Sequence, residues 1–62
     1  MFEQQLRNSH KLGYEVTIFT LFGFCRGQVV TCGDSWFTLE RQPDKCKINI
    51  YFEDVLLLEE HS

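Results

Sequence analysis

From residue 14 onward, hydrophobic and β-branched residues occur in short runs that are separated by glycine, proline or acidic residues. Runs of this composition indicate β-strands, and the breaks between them are typical of turns. The pattern predicts five strands, over residues 16–21, 27–32, 36–41, 47–52 and 55–58. Five short strands with short connections predict a strongly bent antiparallel sheet that forms a small SH3-like barrel over residues 14–59.

Alternation within the strands predicts the side of the sheet that each residue faces. The predicted inward residues are Val16, Ile18, Thr20, Phe37, Leu39, Ile48, Ile50 and Phe52. The predicted outward residues are Thr17, Phe19, Leu21, Trp36, Thr38, Glu40, Lys47, Asn49 and Tyr51. The fifth run, Val55-Leu56-Leu57-Leu58, is apolar on both sides and therefore needs two covers. A second copy of the chain is the simplest second cover, so the pattern predicts a homo-oligomer.

The first twelve residues have a different pattern. Phe2, Leu6 and His10 are four positions apart, and the intervening residues are polar. This spacing predicts a short amphipathic helix over residues 1–12, which Gly13 can close. Helix and sheet together fill the chain, so a single domain is expected over residues 1–62.

The charges exclude a generally basic nucleic-acid-binding protein. The 62 residues carry six Lys or Arg and nine Asp or Glu, a net charge of −3 at pH 7. The acidic excess lies in residues 32–62, so a polyanion would meet the first half of the chain, or the basic residues between Arg41 and Lys47, more readily. No run of about 18 apolar residues occurs, so no membrane contact and a cytoplasmic location are expected.

The cysteines and histidines do not have the spacing of a chemical site. Cys25 and Cys32 are seven positions apart, which on one regular strand turns them to opposite sides, and Cys46 leaves an odd number. His10 and His61 lie near opposite ends of the sequence and offer no paired metal-ligand spacing. We therefore expect small, buried thiols, no metal or cofactor, and no enzyme activity.

A helix followed by five strands of these lengths resembles the Sm-like fold, in particular the bacterial Hfq subgroup. Phe2, Leu6 and Arg7 of the helix, and Gly23 with Asp34 eleven residues later, carry the resemblance. It implies subunits that join strand four to strand five in a ring and bind single-stranded RNA by base stacking, in post-transcriptional regulation. One departure concerns the Tyr-Lys-His with which Hfq grips uridine and phosphate, because this chain has Tyr51-Phe52-Glu53 at that place.

Outward aromatic side chains and nearby cations are the candidate binding residues. The resemblance implies RNA binding by Trp36, Tyr51, Phe19, Arg26, Arg41 and Lys47. It implies an oligomer interface formed by Ile50, Phe52, Val55, Leu56 and Leu58. Exposed aromatic residues are as often anchors of protein interfaces, and charges in a hairpin loop are often only solvated.

A second hypothesis remains open beside RNA binding. The chain is also similar to small acidic Sm-like proteins such as Rof, which inhibits the transcription terminator Rho. This resemblance implies a regulatory interaction module that presents Glu53 and Asp54 to a basic site on a larger nucleic-acid-binding partner.

Overall fold

The computed structural model describes residues 2–61, which form one helix and one five-stranded antiparallel sheet. The helix α1 spans Glu3–Leu12. The strands are β1 (Glu15–Thr20), β2 (Gly23–Cys32), β3 (Trp36–Arg41), β4 (Lys47–Tyr51) and β5 (Leu57–His61), with a short 3-10 turn over Phe52–Asp54 between the last two. The mostly β fold with an N-terminal helix is therefore as predicted.

Helix α1 ends where the sequence predicted. Gly13 adopts a left-handed conformation with φ of 78°, and its N–H donates to the Ser9 carbonyl over 2.8 Å. The buried side of the helix differs from the prediction, because Leu6 and Ser9 are buried whereas His10 is exposed. The next buried residue after Leu6 is thus three positions further on, rather than four. The Ser9 hydroxyl donates to the Glu60 carboxylate on β5 over 3.1 Å.

Four of the five strands differ from the prediction in their bounds. Strand β1 spans Glu15–Thr20 rather than residues 16–21. Strand β2 begins four residues earlier, because the first hairpin turn consists only of Leu21 and Phe22, and Gly23 already pairs with Thr20. Strand β4 ends at Tyr51, where the 3-10 turn begins. Strand β5 lies later than residues 55–58, because it pairs with β1 from Leu57 onward.

The strand order is β4-β3-β2-β1-β5, so β4 and β5 are the two edges of the sheet. Among residues 2–61 no ladder joins these edges, and the predicted closure into a barrel is not confirmed. Each edge presents backbone N–H and C=O groups that can pair with a further strand.

A bulge changes the alternation of β2. Its register with β3 shifts between Val29 and Thr31, which inserts one extra residue. Cys25 therefore lies opposite Ile18, Cys32 lies opposite Phe37, and both thiols pack against the same core. The expectation that these cysteines face opposite sides is wrong, because it assumed a regular strand.

The core lies between α1 and one side of the sheet. Its buried residues are Leu6, Val16, Ile18, Val29, Phe37, Leu39, Phe52 and Val55. The predicted inward residues Ile48, Ile50 and Thr20 are only half-buried.

Thr17 was predicted to face outward, but it is buried. Its position on β1 alternates with the buried Val16 and Ile18, yet Thr17 itself is 7% exposed. The Thr17 hydroxyl and His61 Nε2 share a hydrogen bond of 2.8 Å, so the end of β5 contributes to its cover.

Candidate binding surfaces of the sheet

Trp36 and Tyr51 lie directly opposite each other on β3 and β4. Both alternate with core-facing residues and therefore project from the outer side of the sheet. Trp36 is 36% exposed and Tyr51 is 55% exposed. Together with Asn49 and Ile50 they line a cavity of about 240 Å³ at the β4 edge. Two of the three aromatic residues singled out by the sequence thus form one surface, which we call the aromatic pair.

The turn before β3 positions the Trp36 indole. A Cβ atom at Gly33 would overlap the indole ring, so the absence of a side chain at Gly33 allows the ring to lie against the backbone. The Gly33 N–H also donates to the Trp36 carbonyl over 2.8 Å. The indole is therefore supported on one side by the turn and accessible on the other.

Carboxylates surround the outer end of the aromatic pair. A second cavity of about 320 Å³ borders Tyr51, and its lining residues are Glu3, Asp34, Ser35, Tyr51, Phe52 and Glu53. Three of these six side chains are acidic, and Asp34 and Glu53 are exposed. This acidic cleft favours a cationic ligand and repels a phosphate group.

Arg7 is the cation closest to the acidic cleft, but it is committed to the fold. Its guanidinium donates to the Gly33 carbonyl over 2.8 Å and to the Asp34 carbonyl over 3.3 Å. It also pairs with Glu3 at 2.8 Å and lies 5.0 Å from the centre of the Phe52 ring. Arg7 therefore ties α1 to the turn before β3. Only the Glu3–Arg7 spacing of four was visible in the sequence.

The cations proposed for RNA lie apart from the aromatic pair and beside carboxylates. Arg26 pairs with Glu15 at 2.9 Å, and Lys47 lies opposite Glu40 on the β3–β4 ladder. In the β3–β4 loop, two Arg41 nitrogens donate to the Asp44 carboxylate. The paired guanidinium lowers the pKa of Asp44 to about 2, and the pKa of Arg41 is raised in turn.

Phe19 belongs to a different surface from the aromatic pair. It lies opposite Phe24 on one side and opposite Leu57 on the other, and the Phe19 and Phe24 ring centres are 5.8 Å apart. This row crosses β2, β1 and β5, whereas the aromatic pair lies on β3 and β4. The structure therefore does not bring the three predicted aromatic residues together.

The five predicted interface residues divide into two groups. Phe52 and Val55 are buried in the core of the chain itself, and Phe52 stacks on Phe37 at 5.3 Å. Ile50 and Leu58 are half-buried on the edge strands, and Leu56 is 57% exposed. Only this second group is accessible to another molecule.

A further cavity lies between the β1–β2 hairpin and β4. It measures about 380 Å³, and Ile18, Cys25, Ile48 and Ile50 form its apolar wall. Burial raises the pKa of the Cys25 thiol, against an opposing effect of the Arg41 charge. Cys25 is thus a weakly ionised lining residue rather than an activated nucleophile.

No protein-family model matches this chain, and a search of curated proteins also returns no match. Within residues 2–61, the helix α1 is too short and too polar to cross a membrane.

Proposed function

We propose that this protein is an Sm-like homo-oligomeric module that binds a basic segment of a partner protein at the aromatic pair and the acidic cleft. The observation that carries the proposal is the placement of an exposed aromatic side chain, Tyr51, in one cavity with the exposed carboxylates of Asp34 and Glu53. A lysine or arginine of the partner lies over the aromatic ring and pairs with Asp34 or Glu53. Each such cation–π contact contributes about 0.5–1 kcal/mol at an exposed site.

We further propose that the subunits assemble through the two edge strands of the sheet, β4 and β5. If β4 of one subunit pairs antiparallel with β5 of the next, the residues directly opposite each other must lie on the same side of the joined sheet. The register that matches apolar with apolar places Ile48 opposite Leu58 of the neighbouring subunit. The same register places Lys47 opposite Glu59, which gives opposite charges directly across the ladder. A shift by two residues would instead place Ile48 opposite Glu60.

Native mass spectrometry and a charge exchange test the assembly. We expect an oligomer for the unchanged chain and a smaller assembled fraction for Lys47→Glu or Glu59→Lys, because each creates a like-charge pair. The double variant restores opposite charges and should recover assembly. A double variant that assembles no better than the single variants would exclude this register.

The fluorescence of Trp36, the single tryptophan, tests ligand binding at the aromatic pair. Titration with an oligoarginine peptide should change the emission, and Asp34→Asn combined with Glu53→Gln should weaken binding about tenfold. Glu15→Gln is the control, because it removes a carboxylate beside Arg26, away from the cleft. Equal weakening by the control would mean that only the net charge attracts the peptide.

Single-stranded RNA is the second candidate ligand, and the direct juxtaposition of Trp36 and Tyr51 favours it. Stacking of a base on an aromatic side chain contributes about 1–3 kcal/mol. Repetition of Arg26, Arg41 and Lys47 around an oligomer could supply cations for the phosphates. Three results together would favour RNA over a basic protein as the ligand. Oligouridylate would bind the assembled protein, Trp36→Ala would abolish this binding, and oligoarginine would not displace the RNA.

A further inference from the structure

The turn between β1 and β2 exposes two large apolar side chains. Leu21 is 85% exposed and Phe22 is 98% exposed, although hairpin turns are normally formed by Gly, Asn, Asp, Pro or Ser. Neither side chain contributes to the core. The aromatic pair and the acidic cleft do not use them either.

These two residues adjoin further apolar side chains on the outer side of the sheet. Phe24 is 74% exposed, Leu57 is 50% exposed, and Phe19 lies between them on β1. We call these five residues the hairpin surface. Their exposed area is on the order of 600 Å², at the upper limit for the largest apolar patch of a typical monomer.

The charged neighbours of the hairpin surface are exposed carboxylates and two ion-paired cations, Arg26 and Arg41. Glu53 and Asp54 line one depression together with Leu21 and Phe22. Glu59 follows Leu57 by two positions on the same side of β5. Arg26 lies two positions from Phe24 on β2 and is already paired with Glu15. Arg41 lines a cavity with Phe22 and Phe24 and is already paired with Asp44.

These charged neighbours favour some binding partners of the hairpin surface over others. A second copy docked face to face would bring the carboxylates that border one surface close to those that border the other, and the like charges would oppose the contact. A phosphate-bearing surface is disfavoured for the same reason. Charge complementarity instead favours an occupant with an apolar centre and basic flanks.

We propose that the hairpin surface binds an amphipathic helix of a partner protein, with lysine or arginine beside its apolar stripe. The row from Phe24 through Phe19 to Leu57 crosses three neighbouring strands and is about 10 Å long. This matches the axial distance between residues i and i+7 of a helix, about 10 Å. The five apolar residues of the surface belong neither to the aromatic pair nor to the acidic cleft, and only Glu53 borders both sites, so this site is additional to the proposed one.

A synthetic amphipathic helix of leucine and lysine is the probe, and calorimetric titration is the assay. We expect binding that Phe22→Ser combined with Phe24→Thr weakens at least tenfold. Both side chains are exposed, so the double variant should keep the circular dichroism spectrum of the unchanged protein. Leu12→Ser is the matched control, because Leu12 is an exposed leucine of α1 outside the surface.

Further comparisons distinguish this site from the other possibilities. Trp36→Ala should leave binding of the leucine–lysine helix unchanged, and a leucine–glutamate helix should bind at least tenfold more weakly. The proposal is overturned if the leucine–lysine helix does not bind, or if the Leu12 control loses as much affinity as the hairpin variant. Binding to phosphatidylcholine vesicles in place of the helix would identify a lipid surface as the occupant. A dimer that the hairpin variant dissociates would identify a second copy.

Discussion

Replacement of Arg7 by methionine should strongly destabilise the fold. The change removes the hydrogen bonds to the Gly33 and Asp34 carbonyls, the contact with the Phe52 ring and the ion pair with Glu3. Methionine has a helix propensity close to that of arginine, so the helix itself is little affected.

The magnitude follows from the individual contacts. A hydrogen bond from a charged donor contributes about 1.5–3 kcal/mol, and the lower value applies because the Arg7 side chain is 37% exposed. The cation–π contact adds about 0.5–1 kcal/mol and the exposed ion pair about 0–1 kcal/mol. Both carbonyls accept from the same Arg7 nitrogen, so we count them as one hydrogen bond. We therefore expect a loss of about 2–3.5 kcal/mol, a large share of the roughly 3–5 kcal/mol that such a small core supplies.

Urea unfolding followed by circular dichroism, at one fixed protein concentration, measures this loss. Arg26→Met is the control, because within residues 2–61 the Arg26 side chain donates hydrogen bonds only to Glu15. This variant should lose no more than about 1 kcal/mol of stability. If both variants shift the midpoint equally, Arg7 does not tie the helix to the turn, and the argument from its carbonyl contacts is wrong.

Two further predictions concern titration and thiol chemistry. The pKa of Asp44 lies below its ordinary value, so the Arg41–Asp44 pair stabilises the fold fully above about pH 4 and loses this effect as the pH falls towards 2. Carbon-detected NMR should give a midpoint of about 2 that rises towards the ordinary value in Arg41→Gln, where the Cys46 N–H still donates to Asp44; a native midpoint near 4 would contradict the pair. At pH 8, iodoacetamide should modify the exposed Cys46 before Cys25 and Cys32, because burial raises the pKa of the latter two thiols. Mass spectrometry of the digested protein gives the order, and equal rates at all three sites would exclude this difference.

Strands with uninterrupted patterns could be predicted from the sequence, whereas features that depend on register could not. Strand β3 has the predicted bounds, because its alternation is regular and polar turns flank it. The bulge in β2 has no comparable signal in the sequence. The prediction that Cys25 and Cys32 face opposite sides was therefore wrong. The Arg7 contact with Gly33 spans 26 residues, and neither residue type indicates the other.

The candidate surfaces show the same division. Alternation placed Trp36 and Tyr51 on the outer side, but only the β3–β4 register shows that they lie opposite each other. The sequence contained both Arg26 and Glu15, yet their ion pair depends on the β1–β2 register. Local pattern therefore predicts the side of a strand, whereas the partner across a ladder requires the fold.

The strand order has a consequence for the folding pathway. The ladders β1–β2, β2–β3 and β3–β4 join strands that follow one another in the chain, whereas β1–β5 joins Glu15 to His61. The entropy of closing this long loop must be overcome before its contacts stabilise the sheet. We therefore expect β5 to dock last and to detach first in the unassembled chain, which amide hydrogen exchange would show as faster exchange in Leu57–His61 than in β3. Equal protection of the two strands would instead indicate that the whole sheet opens as one unit.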